Sequence, residues 1–399
     1  MNGPMRMERT GTGVDDYEVY LNPFGSWSYD AHMIYVDQPV GTGFSYGTPL
    51  LTTMDEAANE FINFMDSLYE LYPQFKGKDL YITGESYAGK YVPRYSWALF
   101  EDDQQTEEGV KKFNLKSSLI GDPYTVPMTQ RTSMHLVPEA LNILDDSNMP
   151  QIAAMERRCK EMVSTNLTES ADTCSDIMGY ICDVSGDVFP YDQRIFAEDW
   201  DPIEQVVTDY FQISGKVEQA WEAVHIMDST KEPKFEMSSG RVGNAFVDDN
   251  LLSYNKYVNL LVQNESPVLI YAGEFDAQDG PKTIEAWLRP MLDFDGVEDF
   301  WAQSRSIYWV HNTTHTDPLI NGGLYRSSPF FTFLTVPKAG HFVPANYYQP
   351  SFQFFSDYVN HQSLKCHAKD PADCSVVEER CAYMNWCSGQ GTCSSEGTC

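Results

Sequence analysis

Residues 84–89 read Gly84-Glu85-Ser86-Tyr87-Ala88-Gly89, and this stretch decides the fold prediction. It follows a strand-like run at 79–83 and precedes a helical stretch that begins at Lys90. Small residues flank the serine, as a sharp strand-to-helix turn requires, because the backbone of such a turn is cramped. The turn exposes the hydroxyl above the end of the strand and points the next backbone N–H, that of Tyr87, toward a developing oxyanion. The stretch therefore predicts a nucleophilic Ser86 with the Tyr87 amide as an oxyanion donor.

Two later loops supply partners for this serine. A serine hydroxyl needs a base to take its proton, and the base needs an acid to orient it. Strand-like runs at 268–272 and 331–336 are followed by Asp276 and His341. The order serine, acid, histidine, with each partner on a loop after a later strand, is typical of α/β-hydrolases. We predict that Ser86, Asp276 and His341 form a catalytic triad.

Strand-like and helical segments alternate along the chain, as in a parallel sheet covered on both faces. The segment 32–36 resembles a buried strand, and so does 115–120. A helix is predicted over 54–72, with Thr53 and Glu56 as a capping box and Pro73 at its end. We predict an α/β-hydrolase core in two parts, 1–121 and 251–362. The block between them, 122–250, has mostly helical patterning without a strand run, and we interpret it as a cap insertion.

The C-terminal segment, 363–399, differs in composition from the rest. Six of the nine cysteines lie there, and their spacing resembles that of an EGF-like module. Small disulfide modules use cross-links in place of a hydrophobic core. Six cysteines permit 15 pairings, and the sequence does not choose among them. The remaining cysteines are Cys159, Cys174 and Cys182, an odd number within the predicted cap.

Several features indicate export from the cytoplasm. Sequons for N-glycosylation begin at Asn166, Asn264 and Asn312. With the cysteine cluster, they favour a lysosomal, vacuolar or extracellular protein. Residues 1–20 do not form a signal peptide, so we expect the natural start to lie upstream of Met1. No apolar run is long enough to span a membrane.

The net charge of -31 and the isoelectric point near 4.4 argue against nucleic-acid binding, because such a surface repels phosphate backbones. No cofactor fingerprint is present. His311 and His315 are four residues apart, but they flank a sequon in a polar loop without a third ligand. We therefore predict surface histidines there, no metal and no cofactor. The sequence does not indicate an oligomeric state.

Beyond the serine turn, several motifs resemble the serine carboxypeptidase family in order and spacing. They lie at 37–46, 84–93, 121–130, 191–194, 269–273 and 339–344. The resemblance implies release of the C-terminal residue from peptides or proteins through an acyl-enzyme, with a preference for acid pH. It also implies that Glu85 shares a proton with a second glutamate and binds the terminal carboxylate of the substrate. Carboxyl groups cluster in this way only when protons are available.

The sequence departs from the family pattern at two places. Met1 stands where the second glutamate is expected, and the family's Asn-Gly-Gly-Pro-Gly loop, which carries another oxyanion donor, precedes that position. Loss of one oxyanion donor typically slows catalysis about 100- to 1000-fold. In the acid loop, Glu274, Asp279 and Gly280 replace the family's residues, and Asp279 is an alternative to Asp276 as the triad acid.

Two further functions remain open at this point. One is a non-catalytic binding or structural glycoprotein that retains the fold and makes contacts through the EGF-like segment. The other is acyl transfer by the same serine, which the family resemblance also allows. A blocked pocket would favour the first, and acylated alcohols or amines among the products would favour the second.

Overall fold

The computed structural model describes most of the chain. The described residues are 1–365 and 367, apart from 12, 14, 106–110, 166, 197–206, 208–209, 212–220, 223–224, 226–234, 236–237 and 312–318. The predicted EGF-like segment and two of the sequon asparagines, Asn166 and Asn312, therefore lie outside the described residues. The third sequon asparagine, Asn264, is exposed at the end of a helix.

The strands and helices follow one another as the alternating sequence pattern predicts. The strands are β1 (Met5–Arg9), β2 (Tyr17–Leu21), β3 (Leu80–Glu85), β4 (Leu115–Gly121), β5 (Val188–Phe189), β6 (Asp192–Phe196), β7 (Val268–Gly273), β8 (Ser306–His311), β9 (Leu319–Ser327) and β10 (Phe331–Val336). The helices are Met54–Leu71, Ala88–Gln104, Pro127–Arg131, Leu136–Ala140, Met149–Thr165, Leu167–Ser185, Gly240–Ala245, Asn255–Gln263, Pro281–Met291, Val297–Ala302, Val343–Asn346 and Tyr348–His361, with short 3₁₀ turns at Trp27–Tyr29 and Pro73–Phe75.

Six of these strands form a mixed sheet in the order β3-β4-β7-β10-β9-β8. The first four are parallel, and the last two run antiparallel to their neighbours. The carboxyl ends of β3, β4, β7 and β10 therefore meet at one edge of the sheet. The loops that carry Ser86, Asp276 and His341 leave the sheet at this edge.

Both faces of the parallel strands are buried, and the side chains of β7 show how. Ile270 belongs to a core with the helices Ala88–Gln104 and Pro281–Met291, whereas its neighbour Tyr271 packs into a second core with Phe354 of the helix Tyr348–His361. Successive side chains of a strand point to opposite faces, so alternate residues of β7 pack into the two cores. Strands of this kind read as continuous apolar runs, which is why the sequence predicts them well.

The helix Met54–Leu71 begins as predicted. The side chain of Thr53 accepts a hydrogen bond from the backbone N–H of Glu56, and the Glu56 carboxylate accepts one in return from the backbone of Thr53. Each side chain satisfies a backbone N–H group that the first helical turn would leave without a partner. The helix gives way to a 3₁₀ turn that starts at Pro73, which confirms the predicted end.

The predicted strand at 32–36 is wrong. These residues are not part of a strand, and Ile34 and Tyr35 are 48% and 59% exposed. They line one side of a cavity of about 1200 Å³, and β3 lines another side. A strand needs a hydrogen-bonded neighbour, and the cavity separates this segment from the free edge of β3. A continuous apolar run is therefore present without the pairing that would make it a strand.

The block 122–250 contains a disulfide and a hairpin that the sequence pattern does not predict. The helices Met149–Thr165 and Leu167–Ser185 pack together and are joined by a disulfide between Cys159 and Cys174. They are followed by an antiparallel hairpin, β5–β6, although the block was predicted to have no strand run. The hairpin is only a few residues long, too short for a recognisable strand pattern.

Cys182 has a free thiol among the described cysteines. No helix within the described parts of the chain is both long and apolar enough to cross a membrane.

Candidate active site

Ser86 occupies the sharp turn between β3 and the helix Ala88–Gln104. Its φ angle is 64°, in the left-handed region that non-glycine residues rarely adopt. The Ser86 N–H donates to the carbonyl of Gly121 at 2.9 Å, and the Ser86 carbonyl accepts from the N–H of Tyr124 at 2.8 Å. These hydrogen bonds hold the strained residue in place.

The small residues on either side of Ser86 are required by close contacts. A Cβ on Gly84 would lie 2.4 Å from the Cβ of Ala88, and one on Gly89 would lie 2.6 Å from the backbone nitrogen of Tyr124. Real side chains do not approach so closely, so the turn tolerates only glycine at both positions. The prediction of a tight strand-to-helix turn is confirmed.

His341 and Asp276 form a buried pair at the same edge of the sheet. The Nδ1 atom of His341 lies 2.6 Å from Oδ2 of Asp276, and the two side chains are 3% and 0% exposed. The other carboxylate oxygen, Oδ1, accepts hydrogen bonds from the backbone N–H groups of Gln278 at 2.8 Å and Asp279 at 3.2 Å. The carboxylate is thus fixed by its own loop and orients the imidazole, with Nε2 left for a reacting group.

Asp279 has a different position from Asp276. Its carboxylate accepts a hydrogen bond from Nε2 of Gln130 at 2.8 Å, and Oε1 of Gln130 accepts from the backbone N–H groups of Thr125 and Val126. Asp279 therefore ties its loop to the segment after β4. Burial, followed by the negative charge of Asp276, raises the pKa of Asp279 to about 7.

Tyr191, on the hairpin β5–β6, covers the imidazole. The ring centroids of Tyr191 and His341 are 4.5 Å apart, and the Tyr191 carbonyl accepts a hydrogen bond from the His341 N–H at 2.7 Å. A Cβ on Gly340 would lie 2.4 Å from the same carbonyl. The hairpin β5–β6 thus packs directly on the histidine loop. The sequence offered one signal for this contact, the motif at 191–194.

The Ser86 hydroxyl and the His341 imidazole are not in hydrogen-bond contact. Across the part of the chain that the structure describes, no hydrogen bond joins the Ser86 hydroxyl to His341, and none occupies the Tyr87 N–H. Catalytic hydrogen bonds are often long in the unliganded state and tighten when substrate binds. The Tyr87 N–H stands at the start of the helix Ala88–Gln104, where backbone N–H groups favour a negative charge.

Glu85 lies beside the nucleophile with a buried carboxyl group. Both of its oxygens are buried, and the described protein groups offer neither of them a hydrogen bond. Burial raises its pKa to about 7, with a further upward contribution from Asp276 and an opposing one from His341. The carboxyl group therefore carries a proton at acid pH and is available as a donor.

The charges of the neighbouring carboxyl groups change the pKa of the His341 imidazole. Burial alone lowers the pKa of His341, but the charge and hydrogen bond of Asp276, together with the charges of Asp279 and Glu85, raise it to about 9. Asp279 and Glu85 contribute only when they are ionised. Since both are protonated well below pH 7, the imidazole holds its proton less tightly at acid pH than at neutral pH.

Sequence reasoning missed one buried carboxyl group, that of Asp122 at the end of β4. Ligand atoms of Asp122, Asp276 and His341 all lie within 4.8 Å of one another. This is a possible metal-ligand set, but the hydrogen bond between Asp276 and His341 already uses two of its members. The arrangement fits a base with its orienting acid better than a cation site. The motif at 121–130 marked this segment without pointing to the carboxyl group.

Comparisons with known proteins agree with this geometry. The family model described as serine carboxypeptidase matches residues 1–361. The pheromone-processing carboxypeptidase KEX1 of Debaryomyces hansenii is 27% identical over 368 residues, which cover 86% of this chain and 50% of that protein. The probable serine carboxypeptidase CPVL of Dictyostelium discoideum is also 27% identical, covering 84% of this chain and 65% of that protein. The chain therefore spans half to two thirds of the length of these relatives.

A solved structure supports the fold. The crystal structure of the prohormone-processing carboxypeptidase KEX1(DELTA)P from Saccharomyces cerevisiae superposes with a TM-score of 0.76 at 21% identity, covering 90% of this chain and 78% of that one. The similarity confirms an α/β-hydrolase-like fold around the mixed sheet. Because the family model extends from the first residue through the last described helix, this chain belongs to the serine carboxypeptidase family.

Proposed function

We propose that this chain is a serine carboxypeptidase that releases C-terminal residues from peptides and proteins at acid pH. The observation that carries the proposal is the 2.6 Å contact between Asp276 and His341, at the sheet edge where the strained turn exposes Ser86. Membership of the serine carboxypeptidase family supports the same reaction class.

In the proposed mechanism, Ser86 attacks the last peptide carbonyl while Nε2 of His341 takes the hydroxyl proton. The new bond joins Oγ to the carbonyl carbon, and the Tyr87 N–H stabilises the oxyanion. When the C–N bond breaks, His341 returns the proton to the leaving amine. Water then attacks the acyl-enzyme, again with His341 as base, and restores the serine. Asp276 keeps the imidazole oriented and stabilises its positive charge.

Glu85 supplies the proposed selectivity for a free C-terminus. Its protonated carboxyl group can donate a hydrogen bond to the substrate carboxylate, whereas the ionised form would repel it. The buried, unpartnered oxygens of Glu85 and its pKa of about 7 support this role. Recognition of the free C-terminus is therefore expected to weaken as the pH rises through neutrality.

The disulfide and the predicted glycosylation sites bear on the cellular compartment of the protein. We propose a lysosomal, vacuolar or extracellular location, with glycans at Asn166, Asn264 and Asn312 and an EGF-like module at 363–399. The disulfide between Cys159 and Cys174 supports an oxidising environment. The proposed chemistry uses protein groups alone, with no metal or cofactor.

The test compares two forms of one peptide, with a free and with an amidated C-terminus, at acid pH. Mass spectrometry follows the stepwise loss of residues from the free form by the wild type, and the Ser86→Ala variant serves as the control. We expect loss from the free form only. Intact peptide with wild-type protein that is shown to be folded would favour a binding glycoprotein, and acylated products with added alcohol or amine would favour an acyltransferase.

A further inference from the structure

A carboxyl group that the proposed mechanism does not use lies directly behind the triad acid. Asp122 follows β4, between the strands that carry Ser86 and Asp276, and is fully buried. Its φ angle is 39°, unusual for a residue with a side chain. A strained, buried and charged residue at this place needs an explanation, because burying an unpaired carboxylate is very unfavourable.

One half of the Asp122 side chain has a clear partner. Oδ1 accepts a hydrogen bond from the backbone N–H of Gly273 at 2.9 Å, and the Asp122 N–H donates to the carbonyl of Tyr271 at 2.8 Å. These two hydrogen bonds join the end of β4 to the end of β7. They place the carboxyl group under the loop that carries Asp276.

The other half has no donor from the protein. Oδ2 of Asp122 is buried, and none of the described residues donates a hydrogen bond to it. An oxygen of the Asp276 carboxyl group lies within 4.8 Å of an oxygen of Asp122, and a side-chain hydrogen bond between the two groups is among the causes that raise the pKa of Asp122. Two carboxylates in contact repel each other, so a hydrogen bond between them requires one proton. The donors already bound to Asp276 make its carboxylate the acceptor.

We propose that Asp122 is a positioning residue whose protonated carboxyl group donates a hydrogen bond to the Asp276 carboxylate. Asp276 then accepts from the two backbone N–H groups of its loop, from His341 and from Asp122. The proton satisfies the otherwise orphaned Oδ2. It also removes a negative charge that would otherwise face the imidazole and hold its proton more tightly.

The surrounding groups favour this protonated state. Burial raises the pKa of Asp122 well above its ordinary value, and the charges of Asp276 and Glu85 raise it further, although the Gly273 N–H opposes them. Other titratable groups near it are His341, which has a ring nitrogen within 4.8 Å of an Asp122 oxygen, and the Tyr271 hydroxyl. Loss of the proton at high pH would put two carboxylates in contact and disturb the orientation of the base.

Infrared spectroscopy tests the proton directly and does not depend on the proposed function. The Glu85→Gln background removes the titration of the neighbouring glutamate. At about pH 6, where an ordinary aspartate is ionised, the background protein is expected to show protonated-carboxyl C=O absorption from Asp122 and Asp279, and the additional Asp122→Asn change should weaken it by the contribution of one carboxyl group. The matched control is Asp357→Asn, because Asp357 is equally buried but accepts hydrogen bonds from Tyr308 and Lys365, and it should leave the band unchanged. An identical band with and without Asp122→Asn would overturn the proposal.

The kinetic arm rests on the proposed function and uses a fluorophosphonate probe, whose reaction with Ser86 needs the base but not a C-terminal carboxylate. In the Glu85→Gln background, Asp122→Asn should keep the labelling rate, since the asparagine amide still donates a hydrogen bond to Asp276. It should also abolish the decline of the labelling rate at high pH that ionisation of Asp122 causes. Asp122→Leu should lower the rate about 10- to 100-fold, the value of one hydrogen bond to a charged group. An unchanged pH profile in Asp122→Asn would contradict the role.

Asp122→Ser, which donates and does not ionise, replaces Asp122→Asn if circular dichroism shows misfolding. If no form reacts while the infrared band behaves as expected, the proposed function fails and the inference about Asp122 stands.

Discussion

Replacing Glu85 by glutamine should change the pH dependence of both stability and activity. The wild-type carboxyl group is buried without a protein partner, and its pKa is raised from 4.5 to about 7. Glutamine has nearly the same shape and never ionises. The substitution therefore removes the titration and preserves the packing.

The magnitude follows from the shift in pKa. A raised pKa means that folding favours the protonated form, so the stabilising contribution is complete below the unfolded pKa and is lost as the pH rises through the folded pKa. A shift of about 2.5 units corresponds to about 3 kcal/mol at about 1.4 kcal/mol per unit. Between about pH 4.5 and pH 8, the free energy of unfolding of the wild type should therefore fall by about 3 kcal/mol relative to Glu85→Gln.

Urea denaturation at a series of pH values measures this difference. The exposed Glu60 on the helix Met54–Leu71 provides the control, Glu60→Gln, which should follow the wild type. In activity assays with a peptide that has a free C-terminus, the ratio of kcat/KM of the wild type to that of Glu85→Gln should fall about tenfold per pH unit above about 7, because only the wild type loses the proton of Glu85. Parallel pH profiles of the wild type and Glu85→Gln, in both assays, would refute the assigned protonation of Glu85.

Three further outcomes follow from individual contacts. Asp276→Asn should lower kcat by about 10⁴-fold with the fold intact, because the imidazole takes the wrong tautomer. Steady-state kinetics measures this loss, with substitution of an exposed residue, Asp295→Asn, as the control. Near-normal turnover of Asp276→Asn would show that Asp276 is not part of the mechanism. Gly340→Ala should destabilise the protein by about 1–3 kcal/mol in urea denaturation, since the new methyl group meets the Tyr191 carbonyl. The exposed helical Gly179→Ala, with nothing within 4 Å, should stabilise the protein slightly. Equal effects of the two substitutions would contradict the packing of the hairpin β5–β6 on the histidine loop. Replacing Cys159 and Cys174 by serine should reduce stability by about 3 kcal/mol for their loop of 15 residues; no difference under non-reducing conditions would contradict a structural role.

The parts of the fold that the sequence predicts are those where local chemistry decides the outcome. The turn at 84–89 is predictable because only small residues fit between Ser86 and the segment after β4. Strands β7 and β10 are predictable because buried parallel strands are continuous apolar runs. The capping box at Thr53 and Glu56 is likewise a local pattern.

The parts that the sequence does not predict depend on partners elsewhere in the chain. The segment 32–36 has an apolar pattern, but the cavity beside β3 leaves it without a neighbouring strand. Strand β9 contains Asn321 and two adjacent glycines, which are unfavourable strand formers, and it is held by pairing with β8 and β10. Tertiary pairing overrides local preference in both cases.

The candidate site shows the same division. Chain order and loop position identified Asp276 and His341, which the structure brings within 2.6 Å of each other. Asp122 and Tyr191 were not assigned roles, because each matters through a contact with a loop more than a hundred residues away. Contacts between residues so far apart in the chain produce no local sequence pattern from which they could be predicted.

In the proposed mechanism, the Asp276–His341 pair activates the hydroxyl of Ser86. Reaction of the folded chain with a fluorophosphonate, followed by peptide mass spectrometry to locate the adduct, tests this activation most directly. A single adduct is expected on Ser86, and it should disappear when His341 is replaced by alanine. An unlabelled Ser86 in folded protein, or labelling that persists without the imidazole, would contradict this activation.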